Sequence, residues 1–372
     1  MQQKSLHIIS FDYPFPPVYG GAIDVFYKVK SLHSLGFEIT LHCFVDQLPD
    51  DNSLLNQYVS NLHCYERKQK GLRLFSRAPF SVASRFHESV LANIAKVDAP
   101  LLFEGLQSTY LLQRYQKTNQ KVYLRLMNLE SNYFGGLAKS ERGLFKKLAL
   151  HVEAFKYNYY QKIIQNFDAV FTLSLYETNY VAKHYQNAVY VPVFHGNEVV
   201  SNLSEFGNYA LYHGDLRMSD NRRAALFLIE VFKKIPDFKL IIACNRGKRL
   251  IKRHIEGYEN LSHTTIKNQQ HLDELLANAH LSVMYSFQQS GTKLKSINSL
   301  YKSRHCLINK NMVDDPNIRN LCTMAENESE FVKAVNDLKL KPYTDYENRK
   351  AVLDVVMNDL ENAKKIAAVI LK

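Results

Sequence analysis

The stretch Ser290-Gly291-Thr292-Lys293-Leu294-Lys295, followed by Asn298, has the residue types of an anion site. Glycine lets a backbone come close to a ligand. A helix that begins there presents free N–H groups and the positive end of its dipole. Two lysines raise the local potential further, and the combination suits a diphosphate. The same residues also describe a helix start with a solvated basic turn, and the stretch alone does not separate the two readings.

Other chemistries lack their residues. No two aspartates are spaced D-x-D, so the metal–diphosphate grip built on that motif is absent. The fourteen histidines make no H-x-x-x-H pair with an adjacent Glu, and no His/Cys group has zinc spacing. His42 and Cys43 are neighbours on a strand and face opposite sides. There is no G-x-S-x-G turn, no G-x-G-x-x-G and no G-x-x-x-x-G-K-[ST]. The expectation is a binder of a phosphate-bearing ligand that uses cations and amides, with no metal and no cofactor.

The elements around the basic stretch read as α/β. Leu281–Tyr285 is an apolar strand pattern, and His305–Asn309 is another. Strand, loop, helix and strand make a βαβ unit with its loop at the carboxyl end of a strand, where open α/β sheets take ligands. The chain opens in the same way. Leu6–Phe11 is a strand, a Pro/Gly turn ends at Gly20-Gly21, and a helix from Ala22 carries Val25, Phe26, Val29, Leu32 and Leu35 before Gly36. Residues 38–45, 99–103, 121–126, 169–174 and 189–193 read as further strands, and 144–164 as a long helix rich in tyrosine and lysine. An aperiodic polar segment at 194–208 marks a boundary. Strands then return at 209–213 and 239–243, with helices at 222–232 and 271–279. The predicted architecture is two Rossmann-like parallel-sheet domains facing an interdomain cleft. Their predicted spans are 1–195 (acceptor side) and 207–345 (donor side), with a terminal helix over 346–372 that crosses back.

Composition fits a soluble globular chain of 372 residues, 46% hydrophobic and 22% charged. No segment approaches the ~20 apolar residues of a membrane span. The N-terminus lacks a signal-peptide pattern. The five cysteines form no C-x-x-C and read as reduced core residues, so a cytoplasmic protein is expected. A net charge of +11 points to an anionic partner. Basic residues cluster at 66–73, 139–147, 246–253 and 293–304. Arg67, Lys68, Lys70 and Arg73 lie near Leu72, Leu74 and Phe75, a mixture suited to peripheral contact with an anionic membrane at its inner face. Nucleic acid is not expected, because no binding motif accompanies the charge.

In order along the chain, the motifs resemble GT-B nucleotide-sugar glycosyltransferases of the bacterial polysaccharide type, the family 4-like group. Pro16-Pro17-Val18-Tyr19-Gly20-Gly21 with Leu35-Gly36 resembles the N-terminal donor loop, and Arg125-Leu126-Met127-Asn128-Leu129-Glu130 the R-x-H-N-x-E segment. Tyr212-His213-Gly214-Asp215-Leu216 with Asp220-Asn221 resembles the first C-domain strand and loop. The opening stretch resembles the donor-diphosphate and ribose segment.

The resemblance implies transfer of a sugar from a nucleoside-diphosphate donor to a glycan or lipid-linked acceptor, with retention of configuration. It implies Asn128 and Glu130 as catalytic residues facing the acceptor. Gly20, Gly21, Arg217, Lys248, Ser290, Gly291, Thr292, Lys293, Lys295 and Asn298 would hold the donor. Arg217, Lys248 and Lys295 would neutralise the departing diphosphate beside the amides of Gly291 and Thr292. Lys295 is preferred over Lys293, since it shares a helix face with Asn298. The chain departs from the pattern at Ser290 and Asn298, where many relatives place acids, and at Met127 and Gln107, where histidines are common. Those departures motivate an alternative, a non-catalytic glycosyltransferase-like binding subunit.

Overall fold

The computed structural model describes residues 4–49, 54–67, 76–115, 120–141, 143–185, 187–288 and 293–372. It contains two compact units, one built from residues 1–139, 143–196 and 357–372, the other from 140–142 and 197–356.

The first unit carries β1 (Lys4–Ser10), α1 (Gly20–Ser34), β2 (Phe37–Val45), β3 (Asn61–Glu66), α2 (Phe80–Ala83), α3 (Ser89–Ile94), β4 (Leu101–Glu104) and β5 (Val122–Leu126). It continues with α4 (Glu130–Ser140), α5 (Leu144–Tyr160), α6 (Leu175–His184) and its last strands β6 (Ala169–Thr172) and β7 (Ala188–Tyr190). All pairings are parallel, in the order β3-β2-β1-β4-β5-β6-β7. A parallel sheet is buried on both faces, so its strands read as apolar runs. Alternate residues serve opposite faces: Leu101 and Phe103 join Tyr157 and Tyr160 of α5, whereas Leu102 joins Val25 and Val29 of α1.

The second unit carries β8 (Tyr209–His213), α7 (Ser219–Lys233), β9 (Leu240–Cys244), α8 (Lys252–Ile255), β10 (Leu261–Thr265), α9 (Gln269–Asn278) and β11 (Ala279–Val283). Then come α10 (Leu294–Lys302), β12 (His305–Ile308), α11 (Pro316–Arg319), β13 (Thr323–Met324), α12 (Glu328–Leu338) and α13 (Tyr346–Val356). Its sheet is parallel too, in the order β10-β9-β8-β11-β12-β13. Leu228 and Phe232 of α7 and Phe331 and Val335 of α12 cover one face, and Leu272 and Leu276 of α9 the other. In both sheets the order reverses beside the first strand, between β1 and β4 and between β8 and β11. Loops that diverge at such a point open a ligand crevice at the carboxyl ends.

The terminal segment is two helices where one was expected. Helix α13 ends at Val356, and α14 spans Asp359–Ile370. The break has one local cause and one distant in sequence. The Asn358 side chain accepts the Glu361 N–H at 3.1 Å as an N-cap, and the Met357 carbonyl accepts from His195 Nε2 at 2.7 Å. Helix α14 belongs to the first unit, where Ala363, Ile366, Ala367 and Ile370 enter the core beside α1.

Candidate functional site

Each unit has a polar cluster at its switch point. In the second unit, β8 delivers Tyr212 and His213, and the first turn of α7 delivers Asp220 and Asn221. The Asp220 carboxylate accepts from Ser286 Oγ at 2.8 Å and from the Phe287 N–H at 3.0 Å, which ties the loop after β11 to α7. Asn309, just past β12, clamps the same loop through both main-chain groups of Ser286. The frame is therefore fixed by side chains from three strand ends.

Lys295, in the first turn of α10, lies within this frame. Its Nζ donates to Asn221 Oδ1 at 2.7 Å and sits 5.1 Å from the centre of the Tyr212 ring. Tyr212 in turn donates to the Asn221 carbonyl at 2.9 Å. Burial pulls the Lys295 ammonium down to about 8; Asp220 works against that shift and Lys293 adds to it. His213 is buried and held neutral, pushed down to about 3 by burial and by Lys295. Its Nε2 has no hydrogen-bond partner among the described residues.

The other expected donor residues are distributed differently. Asn298 lies one turn beyond Lys295 but accepts from Asn197 Nδ2 at 2.9 Å. Lys293 precedes α10, with its N–H on the Met312 carbonyl. Arg217 is exposed and forked onto Asp215, at 3.0 and 3.1 Å through Nε, so its charge is already matched. Lys248 opens an exposed turn beyond the end of β9. Ser290, Gly291 and Thr292 lie outside the described residues. The structure thus brings Lys295 together with Asn221 and Tyr212, and leaves Arg217 and Lys248 on neighbouring loops.

In the first unit, Gly20 is the exposed first residue of α1. Gly21 has a packing reason, because a Cβ there would come 2.6 Å from the Phe11 ring. Gly105 follows β4 with φ +69, a backbone region that favours glycine, and leads into Gln107. Gln107 and Asn128 both hydrogen-bond the carboxyl of Glu130, the first residue of α4. Burial raises that carboxyl to about 7, Glu177 adds to the rise, and Arg85 opposes it. Glu130 is 2% exposed, whereas Gln107 and Asn128 are half-buried. The carboxyl is therefore buried, and the two half-buried amides that it bonds lie nearer the surface. Arg85 closes the cluster from behind by donating to the Phe11 carbonyl at 2.6 Å and to that of Ser81.

A second charged group in this unit escaped the sequence reading. Lys28 bridges Asp24 and Glu104 at 2.8 Å each, and Arg125 pairs with Asp24 at 2.7 Å, all fully buried. Arg125 also donates to the carbonyls of Val191 and Pro192, and Asp24 accepts the Phe194 N–H. Burial favours protonation of Asp24, but Arg125 and Lys28 outweigh it and hold the carboxylate well below its usual range. This network binds α1, β4 and β5 to the segment after β7. Arg125 of the R-x-H-N-x-E-like run is thus structural.

Two switch-point clusters on two parallel doubly wound sheets define the GT-B class of fold, two Rossmann-like domains. Solved structures agree along the whole chain. A Staphylococcus aureus TarM variant in complex with fondaparinux, α-GlcNAc-glycerol and UDP is similar at TM-score 0.63 and 10% identity, covering 100% of both chains. Anabaena HepE in complex with UDP and glucose is similar at TM-score 0.63 and 9% identity, again over 100% of both. The N-terminal domain of Candida albicans trehalose-6-phosphate phosphatase is similar at TM-score 0.65 and 12% identity, over 99% of this chain and 97% of that one. Among curated proteins, an uncharacterised 44.6 kDa protein in the cps region of Klebsiella pneumoniae is 24% identical over 313 residues, 79% of each chain. No family model matches the chain.

Proposed function

We propose that the protein is a glycosyltransferase that moves a sugar from a nucleoside-diphosphate donor to a glycan or lipid-linked acceptor. The observation that carries the reading is Lys295, a partly buried cation held at the switch point of the second sheet by Asn221 and Tyr212. When the bond between the sugar's anomeric carbon and the phosphate oxygen breaks, its electron pair leaves with the diphosphate. A fixed ammonium in a site of low polarity stabilises that developing charge more than a solvated one does. The UDP complexes of TarM and HepE support a nucleotide donor, and the setting of the Klebsiella relative supports a polysaccharide acceptor.

The second unit takes the donor in this reading, with Lys295 on the diphosphate and Asn298 on the ribose. Asn128, set by Glu130, serves the acceptor from the first unit, with Gln107 beside it. Lysine replaces a metal, and configuration at the anomeric carbon is retained. The test is a thermal-shift and calorimetric screen of UDP, GDP and ADP and their sugar conjugates, followed by assay of nucleoside-diphosphate release. At least one diphosphate should raise the melting temperature, and its sugar conjugate should be turned over. Binding without turnover would favour the non-catalytic subunit, and the absence of any binding would sink both readings.

A further inference from the structure

Helix α5 has one face that the protein leaves bare. Leu144, Phe145, Leu148, Val152, Phe155 and Tyr159 are 81, 91, 64, 44, 61 and 61% exposed. From Phe145 onward they recur at spacings of three and four, so they form one continuous apolar stripe along the helix. The opposite side is the structural one, since Tyr157 and Tyr160 are buried in the core. An apolar stripe of this length on a solvent-facing surface marks a partner.

The charges identify the partner. Leu144–Tyr160 contains Lys146, Lys147 and Lys156 and a single acid, Glu153. That acid is turned towards the protein, where it accepts the Phe80 N–H at 2.9 Å and the Ser81 hydroxyl at 3.2 Å. The exposed part of the helix is therefore apolar along its middle, with Lys147 and Lys156 at its margins and Lys146 in its exposed first turn. A second copy of α5 would set lysines against lysines with no acid between them, the reverse of the charge pairing that joins helices side by side. An anionic surface with an apolar interior satisfies both halves of the pattern. No described helix is long and apolar enough to cross a membrane, so the helix lies in the plane of the surface.

We infer that α5 is an interfacial helix that docks the protein on an anionic lipid bilayer. The proposal stands apart from the transferase reading, because vesicle binding is measured without turnover. It also differs from the surface expected around Arg67–Arg73. Arg67 there is ion-paired with Asp46, and residues 68–75 lie outside the described ones.

The experiment is co-sedimentation of the full chain with phosphatidylcholine vesicles, with and without phosphatidylglycerol, across a salt series. The wild type should bind the anionic vesicles and lose affinity as salt rises. Phe145→Ser/Leu148→Ser/Phe155→Ser should lower the partition coefficient at least about 100-fold, since three exposed anchors go at once. Lys146→Gln/Lys147→Gln/Lys156→Gln should lower it about tenfold or more, only on the anionic vesicles. Because the chain contains no tryptophan, Phe155→Trp supplies a single reporter whose emission should shift to the blue on the same vesicles. This arm keeps the test valid if a triple variant fails to fold. Wild-type protein that ignores anionic vesicles, an apolar variant that binds as well as wild type, or an unshifted indole emission from the Phe155→Trp variant would overturn the proposal. A dimer in sedimentation that the apolar variant converts to monomer would also overturn it, in favour of a second copy.

Discussion

At the scale of residues, Lys295 and Glu130 are two titratable groups to which the fold gives unusual settings. Lys293 and Lys295 have the same charge, but only Lys295 is held against Asn221 and Tyr212. Lys295→Ala should weaken a nucleoside diphosphate roughly 10- to 100-fold, the worth of about 1.5–3 kcal/mol for a charged hydrogen bond, and leave the bare nucleoside little changed. Lys293→Ala should do much less; a larger loss at Lys293 in calorimetry would reverse the assignment. Glu130 gives a pH test of a different kind. Its carboxyl is raised from 4.5 to about 7 in the folded chain, so between those values the unfolded chain has released a proton that the folded one keeps. Its contribution to stability is full below about 4.5 and is lost as pH rises through 7. Glu130→Gln keeps the acceptor oxygen and removes the penalty. It should therefore gain about 2–3 kcal/mol relative to wild type on going from pH 5 to pH 8. Denaturant unfolding at both pH values measures this, and an unchanged difference would show that the carboxyl is not held protonated. That Lys295 begins a helix beside a strand end could be read from the sequence, because the Gly-Thr-Lys-Leu-Lys run after an apolar strand pattern has a local meaning. The network of Asp24, Lys28, Glu104 and Arg125 could not, because its partners lie up to 101 positions apart and meet only through the sheet.

At the scale of elements, apolar runs revealed the central strands, and polar ones hid two of the edge strands. Strand β3 reads Asn-Leu-His-Cys-Tyr-Glu and β10 reads Leu-Ser-His-Thr-Thr, and both lie at the sheet edge, where one side need not be apolar. The break between α13 and α14 was missed for another reason. Helical periodicity runs through Met357 and Asn358, and the stop depends on His195, far away in sequence, taking a carbonyl. Helix α14 offers a direct test of its place in the first core. Ile366 is fully buried, so Ile366→Ala should cost about 2–5 kcal/mol in urea unfolding, whereas Leu371→Ala, at 53% exposure, should cost little. Equal costs would mean that the helix only rests on the surface.

At the scale of the whole molecule, the pairing of two doubly wound sheets was predictable because each βαβ unit announces itself locally and such units have few ways to combine. The charge chemistry follows the same economy. Among the described residues no group of three or more His, Cys, Asp or Glu side chains is placed to hold a metal ion, and the second unit offers Lys295 at the switch point. Sugar transfer should persist in excess chelator. Complete loss that magnesium or manganese restores would show that the lysine does not stand in for a metal.

The return of α14 to the first unit has a consequence for how the protein is made. A ribosome that has delivered residues 1–196 has supplied seven strands but not Ala363, Ile366, Ala367 or Ile370, which complete the packing beside α1. Those side chains emerge only after the contiguous second unit has been synthesised, a delay on the order of ten seconds at ordinary elongation rates. The later-made unit can therefore finish folding before the earlier one. Until α14 leaves the exit tunnel, the growing chain carries an unfinished apolar seam on which a chaperone could act.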